Sequence, residues 1–249
     1  MIEIDLTQRQ LDILRKIIEE YTNTGLPVGS ELLEKKYKIG ASPATIRNEM
    51  VVLAKKGYLS KSYFSSGRIP TAKAYRLYIQ HMMEPSDLST AEAVGLKNSI
   101  WDDRKEFHRL LQNSTRVLAL KTKLLCVALS REGDLYYSGI ANILNFQEFL
   151  EEEEKLPAIF SKFEDDMFWT HIIKRIEKLQ EDLMVFLGED DLQDPTFENL
   201  AGVMAEFQGR LTSGYIGVVG TKRIYYDEVI PKVKYMSSLL SEILVNEGY

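Results

Sequence analysis

The sequence has a single cysteine, Cys126, among its 249 residues. A disulfide bond within the chain is therefore impossible, and this composition favours a reducing cytoplasm. No apolar run approaches the roughly 18 residues that are needed to span a bilayer. Residues 1–10 include two acids and no apolar stretch, which is unlike a signal peptide. We therefore expect a cytoplasmic protein without a membrane partner.

The sequence also lacks the motifs that indicate catalysis. It has no P-loop, no dinucleotide-binding G-x-G-x-x-G and no G-x-S-x-G nucleophile elbow. Its three histidines, His81, His108 and His171, are not spaced as zinc ligands. Cys126 lies in an apolar run, where a small buried side chain is expected. Glu189, Asp190, Asp191 and Asp194 offer oxygen ligands for Mg²⁺, but a solvated loop is their more ordinary role. We expect neither an enzyme nor a bound cofactor or metal.

Positive charge is scarce overall but concentrated at one end of the chain. The net charge is −6. Residues 1–84 contain 13 Lys and Arg against 9 Asp and Glu, whereas the remaining residues contain 18 against 28. The net charges of the two parts are therefore +4 and −10. A basic segment followed by an acidic one indicates that only the first part binds a polyanion.

Local signals in residues 1–84 predict three helices, a hairpin and a fourth helix. Thr7 and Gln10 are spaced as a capping box at the start of the first helix. Ser30 is expected to cap a short second helix that Gly40 ends. This order of elements is typical of a winged helix-turn-helix.

The third helix is introduced by Ser42 as N-cap and Pro43 in its first position, and Gly57 ends it. Residues 58–63 and 68–70 favour a hairpin, and Thr71 can cap the fourth helix. A break at residues 84–87 divides the chain into two predicted domains, 1–84 and 85–249.

The second domain is predicted to mix helices and strands, which gives an α+β chain overall. Residues 88–121 contain no proline and predict one long helix. Further strands and helices are expected in an α/β region. The expected strands are residues 124–130, 135–140, 183–187, 200–207 and 214–220, and the expected helices are 146–163, 169–180 and 226–246. Pro231 is expected to shift the start of the last helix or to kink its first turn.

The second and third helices form the predicted helix-turn-helix. Since such a motif places the later of its two helices in the major groove, the third helix is the predicted recognition helix. Its apolar stripe is formed by Ile46, Met50 and Leu53. Ser42, Thr45, Arg47 and Asn48 are expected on the other faces. Arginine can pair with guanine and asparagine with adenine, whereas Ser42 and the helix N-terminus can instead hold a phosphate.

The hairpin is the predicted wing and a second DNA contact. Its tip, Ser65, Ser66 and Gly67, is small and is followed by Arg68, which suits the DNA backbone or the minor groove. Lys61 at the hairpin is a predicted phosphate partner, as are Lys55 and Lys56 at the end of the third helix.

Residues 6–83 resemble the N-terminal domain of the HrcA repressor family. The matching segments are LTQRQ at 6–10, GLPVGS at 25–30, SPATIRNEM at 42–50, GYL at 57–59, SSGRIPT at 65–71 and YR at 75–76. GIANILNFQEF at 139–149 and GVVG at 217–220 also resemble family segments.

The resemblance implies a winged helix-turn-helix followed by a GAF-like domain. It implies a heat-shock repressor, a homodimer that binds an inverted repeat upstream of chaperone genes, with release on heat stress and assistance from the GroE chaperonin. The chain is shorter than the family pattern between the long helix and Gly139. The resemblance places an inserted dimerisation segment there, so the dimer interface is left open. The long helix and the closing helix are the candidates.

Two other functions remain open at this point. A GAF-like sheet can bind a small effector, and Tyr136, Tyr137, Phe168 and Trp169 are candidates to line its pocket, although a plain aromatic core explains them as well. A winged helix can also serve only as a protein-binding module. Binding of DNA by the chain would exclude a module that binds only proteins. A metabolite that changes this binding would indicate an effector sensor, whereas a response to heat or chaperonin would indicate a heat-shock repressor.

Overall fold

The computed structural model describes residues 5–61, 67–84, 86–151, 153–177, 183–192 and 197–249. The contacts divide the chain into two compact units, Met1–Glu84 and Pro85–Tyr249. We refer to them as the first unit and the second unit. Within the described ranges, no helix combines the length and the hydropathy that crossing a bilayer requires.

The first unit has the predicted order of a winged helix-turn-helix. Its elements are α1 (Gln8–Thr24), α2 (Ser30–Tyr37), α3 (Pro43–Lys55), β1 (Leu59–Lys61), β2 (Arg68–Pro70) and α4 (Ala72–His81). The strands pair antiparallel, with Ser60 opposite Ile69.

Short polar side chains start these helices, as predicted. Thr7 and Gln10 form a complete capping box on α1, and the side chains of Ser42 and Thr71 accept hydrogen bonds from the first turns of α3 and α4. Such caps satisfy N–H groups that have no partner within the helix.

The ends of α2 differ from the prediction. Gly29, not Ser30, is the N-cap, and it makes no side-chain cap bond. Lys38, not Gly40, ends the helix in the left-handed region at φ 49°, and its N–H donates to the carbonyl oxygen of Glu34. Gly40 also has a positive φ of 74°. The two left-handed residues together turn the chain from α2 towards α3.

The second unit mixes helices and strands. The helices are α5 (Thr90–Ile100), α6 (Phe107–Thr122), α7 (Gln147–Glu151), α8 (Leu156–Phe163), α9 (Asp166–Glu177), α10 (Gly188–Leu192) and α11 (Tyr226–Glu247). The strands are β3 (Leu125–Ser130), β4 (Leu135–Ser138), β5 (Leu183–Leu187), β6 (Leu200–Gln208) and β7 (Ser213–Thr221).

The prediction of one long helix over residues 88–121 is wrong. Two helices, α5 and α6, occupy this region, and a 3₁₀ turn at Trp101–Asp103 separates them. Asp103 accepts a hydrogen bond of 2.8 Å from the amide of Asn113 and lies 3.2 Å from the guanidinium of Arg109. These contacts tie the turn to α6, so that α5 packs against α6 instead of continuing into it.

The helix predicted over residues 146–163 is also interrupted. A 3₁₀ turn at Glu153–Lys155 separates α7 from α8, and Pro157 lies in the first turn of α8, where its missing N–H is tolerated. In α11, by contrast, Pro231 does not shift the start of the helix, which begins at Tyr226 as predicted.

Five strands form an antiparallel sheet of order β4-β3-β7-β6-β5 within the described part of the second unit. Because side chains alternate along a strand, each face of β3 can be buried separately. Helices α6 and α11 pack on the sheet. A hydrophobic cluster also buries Val127 and Phe186 of the sheet together with Phe163 of α8 and Trp169 of α9. The predicted class is confirmed: a winged helix-turn-helix followed by a helix-and-sheet unit.

Candidate nucleic-acid interface

Helix α3 is anchored by the apolar stripe that its sequence predicts. Ile46 and Leu53 are fully buried and Met50 is nearly so. The helix packs against α1 and α2, its partners in the first unit. Full burial of a side chain of this size stabilises the fold by about 1.5–3 kcal/mol. The inner face of α3 is therefore fixed, and only the outer face is free to contact another molecule.

Polar contacts fix the rotation of α3 on α1. The amide of Gln10 donates to a carboxylate oxygen of Glu49 at 2.9 Å, while its own oxygen accepts the N–H of Thr7 at 3.1 Å. Gln10 is buried, so it has few other conformations available. Arg9 adds a longer contact of 3.9 Å to Glu49. One side chain thus caps α1 and positions α3.

A buried carboxylate ties α1 to α2. Glu20 is 5% exposed and accepts hydrogen bonds of 2.5 Å from both the ammonium of Lys36 and the hydroxyl of Tyr37. The hydrogen bond from Lys36, followed by that from Tyr37, holds the pKa of the Glu20 carboxyl below its ordinary value. Since α2 packs against α3, this cluster also supports the predicted recognition helix. This cluster was not predicted from the sequence.

The outer face of α3 carries all of its exposed residues in one stripe. We call Ala44, Arg47, Asn48, Val51 and Lys55 the outer stripe. Spacings of three and four residues place them above one another on the helix. The side chains of Arg47 and Asn48 have no hydrogen bond or ion pair to another described residue, so both are available to an external partner.

The other two predicted residues of this helix are partly engaged. The Ser42 hydroxyl accepts the N–H of Thr45 at 3.2 Å and lies 2.9 Å from the Thr45 hydroxyl. Ser42 is exposed and Thr45 is half-buried. The Ser42 side chain therefore caps α3 and also engages the Thr45 hydroxyl, which leaves both side chains less freedom to reach a base than Arg47 and Asn48 have.

The predicted wing residues differ in their exposure to solvent. Lys61 is exposed at the end of β1. Gly67 is buried and does not lie at an exposed tip. It packs so closely on Pro27 that an added Cβ would stand 2.8 Å from the backbone carbon of Pro27. Arg68 is half-buried in β2, and its backbone exchanges two hydrogen bonds of 2.9 Å with Val28. Ser65 and Ser66 lie outside the described residues.

The lysines near the end of α3 are not equivalent. Lys55 is exposed and belongs to the outer stripe. Lys56 pairs with the Asp5 carboxylate at 3.2 Å, and its hydrogen bond holds the pKa of Asp5 below its ordinary value. Lys73 donates to the carbonyl oxygen of Lys56 and lies 4.4 Å from the ring centre of Tyr58. Lys55 is thus freer than Lys56 to contact another molecule.

The aromatic residues considered for an effector pocket do not converge on one site. Phe168 and Trp169 pack edge-to-face in the core of the second unit, and the Trp169 indole donates to the carbonyl oxygen of Phe163 at 2.9 Å. Tyr136 instead bonds His108 of α6, and Tyr137 is 39% exposed on the edge strand β4. The core explanation fits Phe168 and Trp169.

The cysteine and the acidic residues that were considered for chemistry have structural roles where the structure describes them. Cys126 is fully buried in β3, and this burial raises the pKa of its thiol well above the ordinary value. Asp191 accepts the N–H of Leu187 at 2.6 Å. Asp194 lies outside the described residues. Among the residues that were described, no group of three His, Cys, Asp or Glu side chains is placed to hold a metal ion.

Comparison with known proteins gives matches along most of the chain. Residues 5–83 match the family described as the winged helix-turn-helix transcription repressor, HrcA DNA-binding, and residues 50–230 match the HrcA protein C-terminal domain. A solved structure described as a hypothetical protein at 2.2 Å resolution superposes with a TM-score of 0.73 at 17% identity, covering 98% of this chain and 100% of that one. That likeness concerns the fold alone.

Curated relatives match part of the chain. The heat-inducible transcription repressor HrcA of Clostridium perfringens (strain SM101 / Type A) is 42% identical over 123 residues, which are 49% of this chain and 36% of that protein. The protein of the same name from Clostridium acetobutylicum is 38% identical over 145 residues, 58% of this chain and 42% of that one. The matched region thus spans well under half of each relative. The two family matches together extend from residue 5 to residue 230, and the chain belongs to the HrcA family.

Proposed function

We propose that the chain is a regulator that binds double-stranded DNA in a sequence-specific manner and represses transcription, rather than an enzyme. The observation that carries the proposal is the outer stripe of α3. The inner face of α3 is buried in the first unit, whereas the side chains of Arg47 and Asn48 are exposed and have no partner among the described residues. The family description and the names of the relatives support the same activity.

Arg47 and Asn48 supply the chemistry for base recognition. A guanidinium can donate two hydrogen bonds to guanine O6 and N7, and a carboxamide can donate to and accept from adenine N7 and N6. Both side chains lie in the N-terminal half of α3, the part of a recognition helix that contacts base edges. We assign Ser42 and Thr45 a lesser share, since Ser42 also caps the helix and the two hydroxyls contact each other.

Lys55, Lys61 and Arg68 supply the positive charge for the DNA backbone. Contacts of this kind position a protein on the duplex without selecting a sequence. Each phosphate that is neutralised releases condensed counterions, so its loss lowers the salt slope of binding by about one unit. Ser65, Ser66 and Gly67 stay in the proposal as wing residues, with Gly67 shaping the base of the wing through its contact with Pro27.

We further propose that the repressor acts in the cytoplasm as a homodimer on an inverted repeat. A two-fold symmetric protein presents two recognition helices to two half-sites. Heat-shock genes are the expected targets, since the relatives are named heat-inducible repressors. The GroE chaperonin is a proposed partner that favours the active form. To identify the signal that releases the repressor, operator binding by one protein sample can be compared on heating, with added chaperonin and with added metabolites.

The central test compares Arg47→Ala with Lys61→Ala on a duplex that the protein itself selects from a randomised library. Arg47→Ala should abolish the preference for the selected duplex over a scrambled one, a loss of about 1–3 kcal/mol of discrimination. Lys61→Ala should weaken binding to both duplexes alike. Arg116→Ala, on α6 of the second unit, serves as the control. If both variants bind every duplex as the parent does, the assignment of α3 is wrong.

A further inference from the structure

The outer stripe of α3 includes one valine, an apolar side chain that the fold leaves more than one third exposed. Val51 is 38% exposed, and it lies one helical turn beyond Arg47 and Asn48. The buried stripe of Ile46, Met50 and Leu53 lies on another side of the helix, so Val51 is not one of the residues that anchor it.

Valine is a poor choice at such a position if folding alone decides the residue. In an exposed helix it is less favourable than alanine by about 0.5 kcal/mol, because its branched side chain loses rotamers against the preceding turn. More than a third of its surface is also left in water. A side chain that is unfavourable in the free protein and shares a face with Arg47 and Asn48 points to a contact made in the complex.

The chemistry of the major groove identifies that contact. Base pairs expose hydrogen-bond donors and acceptors there, and the C5-methyl group of thymine is the apolar feature among them. We propose that Val51 packs against the methyl group of a thymine in the bound duplex. Val51 is then a specificity-determining residue that selects thymine beside the base pairs contacted by Arg47 and Asn48. This inference rests on the proposed DNA-binding function.

The surroundings of Val51 favour DNA over a protein surface as the partner. Along the stripe Val51 is preceded by Arg47 and followed by Lys55, and neither cation has a hydrogen bond or ion pair to another described residue. An apolar group between two unpaired cations suits a groove lined by phosphates, with bases at its floor.

The experiment uses the full chain and the duplex selected from a randomised library, with its thymines replaced one at a time by deoxyuridine, which removes only the methyl group. In the parent, one replacement per half-site should raise Kd by about fourfold, the factor that corresponds to the burial of one methyl-sized group. In Val51→Ala the thymine and deoxyuridine duplexes should bind equally. Val51→Ile, which keeps the apolar contact, should retain the discrimination, and so should Leu211→Ala, which truncates an exposed apolar residue of the second unit.

The outcomes separate this inference from the proposed function. If no thymine replacement affects the parent, or if the effective one acts equally on the parent and on Val51→Ala, the methyl contact is excluded while DNA binding stands. If the library yields no preferred duplex, or if Arg47→Ala keeps the preference, the proposed function itself fails. A melting temperature of Val51→Ala equal to or above that of the parent, as its helix propensity predicts, shows that the variant is folded.

Discussion

The two units use their charged residues differently. In the second unit Lys97, Arg104 and Arg131 pair with carboxylates at 2.9–3.4 Å, and the largely buried side chain of Arg223 pairs with Glu148. In the first unit the cations of the scaffold are also paired, as Lys36 is with Glu20, but those of the outer stripe are not. The net charges of +4 and −10 therefore understate the contrast.

This difference teaches where to look for function in a chain of modest net charge. Ion pairs within a unit neutralise positive charge before a polyanion can use it. What distinguishes α3 is that its polar residues remain unpaired on a helix whose other face is fixed. Four substitutions test whether charged and capping residues divide in this way into those that hold the fold and those that are free for a partner.

The largest effect is expected from Arg223→Ala in the second unit. Its guanidinium donates to Glu148 at 2.9 Å and at a second, shorter contact, and both side chains are largely buried. Removing one partner leaves a buried charge, which costs about 3–5 kcal/mol of unfolding free energy. Both tryptophans of the chain lie in the second unit, so their fluorescence during urea unfolding measures the loss.

The control for this variant is Arg131→Ala. Arg131 pairs with Glu206 at 3.0 Å, but 52% and 36% of the two side chains are exposed. Such a pair contributes about 1 kcal/mol at most, since water already solvates both groups. Equal losses for the two variants would show that burial does not set the strength of these pairs.

A smaller, pH-dependent effect is expected from Glu20→Gln in the first unit. Glu20 is buried, but Lys36 is 52% exposed and can be solvated once its partner is neutral. We expect a loss of about 1.5–3 kcal/mol near neutral pH, the range for hydrogen bonds to a charged group. Thermal unfolding followed by far-ultraviolet circular dichroism measures it.

The pH dependence of Glu20→Gln has a definite sign. The pKa of Glu20 is lowered in the folded state by the hydrogen bonds from Lys36 and Tyr37, so its stabilisation is complete above the ordinary carboxyl pKa of about 4.3. It is lost as the pH falls through the folded-state pKa. The parent and Glu20→Gln should therefore converge in stability under acid conditions. Glu19→Gln, which removes a surface pair with Lys16, should show no such convergence.

The structure separates the parts of the fold that local sequence determines from those that it does not. The caps of α1, α3 and α4 were predictable because Thr7, Ser42 and Thr71 act on N–H groups within three residues of themselves. The break between α5 and α6 was not, because no proline or glycine marks it. It depends on Asp103 meeting Asn113, a contact that periodicity does not contain.

The same distinction applies to the candidate site. The exposure of Arg47 and Asn48 followed from helical spacing alone, and the same spacing would have shown Val51 on their face. The burial of Gly67 did not follow, because it depends on Pro27, forty positions away in the chain. The buried Glu20 was missed because a carboxylate in an amphipathic helix is ordinarily exposed, and only its contacts with Lys36 and Tyr37 explain it.

A moderate effect on stability is expected from Ser42→Ala. The Ser42 hydroxyl accepts the N–H of Thr45 at the start of α3, and loss of such a cap costs about 1 kcal/mol. Ser42→Asp, which keeps an acceptor, should recover most of the loss. Because an aspartate would repel phosphates, it should still weaken binding to every duplex. If Ser42→Asp instead binds DNA as the parent does, Ser42 is not near the backbone of the duplex.

The smallest effect on stability is expected from Arg47→Ala, and it is the one that decides the comparison. Arg47 is exposed, has no partner in the described residues and lies in a helix where alanine is at least as favourable. Its loss should change the free energy of unfolding by less than about 0.5 kcal/mol, as at other surface positions. The same substitution should abolish preference for the selected duplex. A residue that is dispensable for the fold and required for recognition is what the outer stripe predicts, whereas a loss near that of Arg223→Ala would place Arg47 among the residues that hold the fold together.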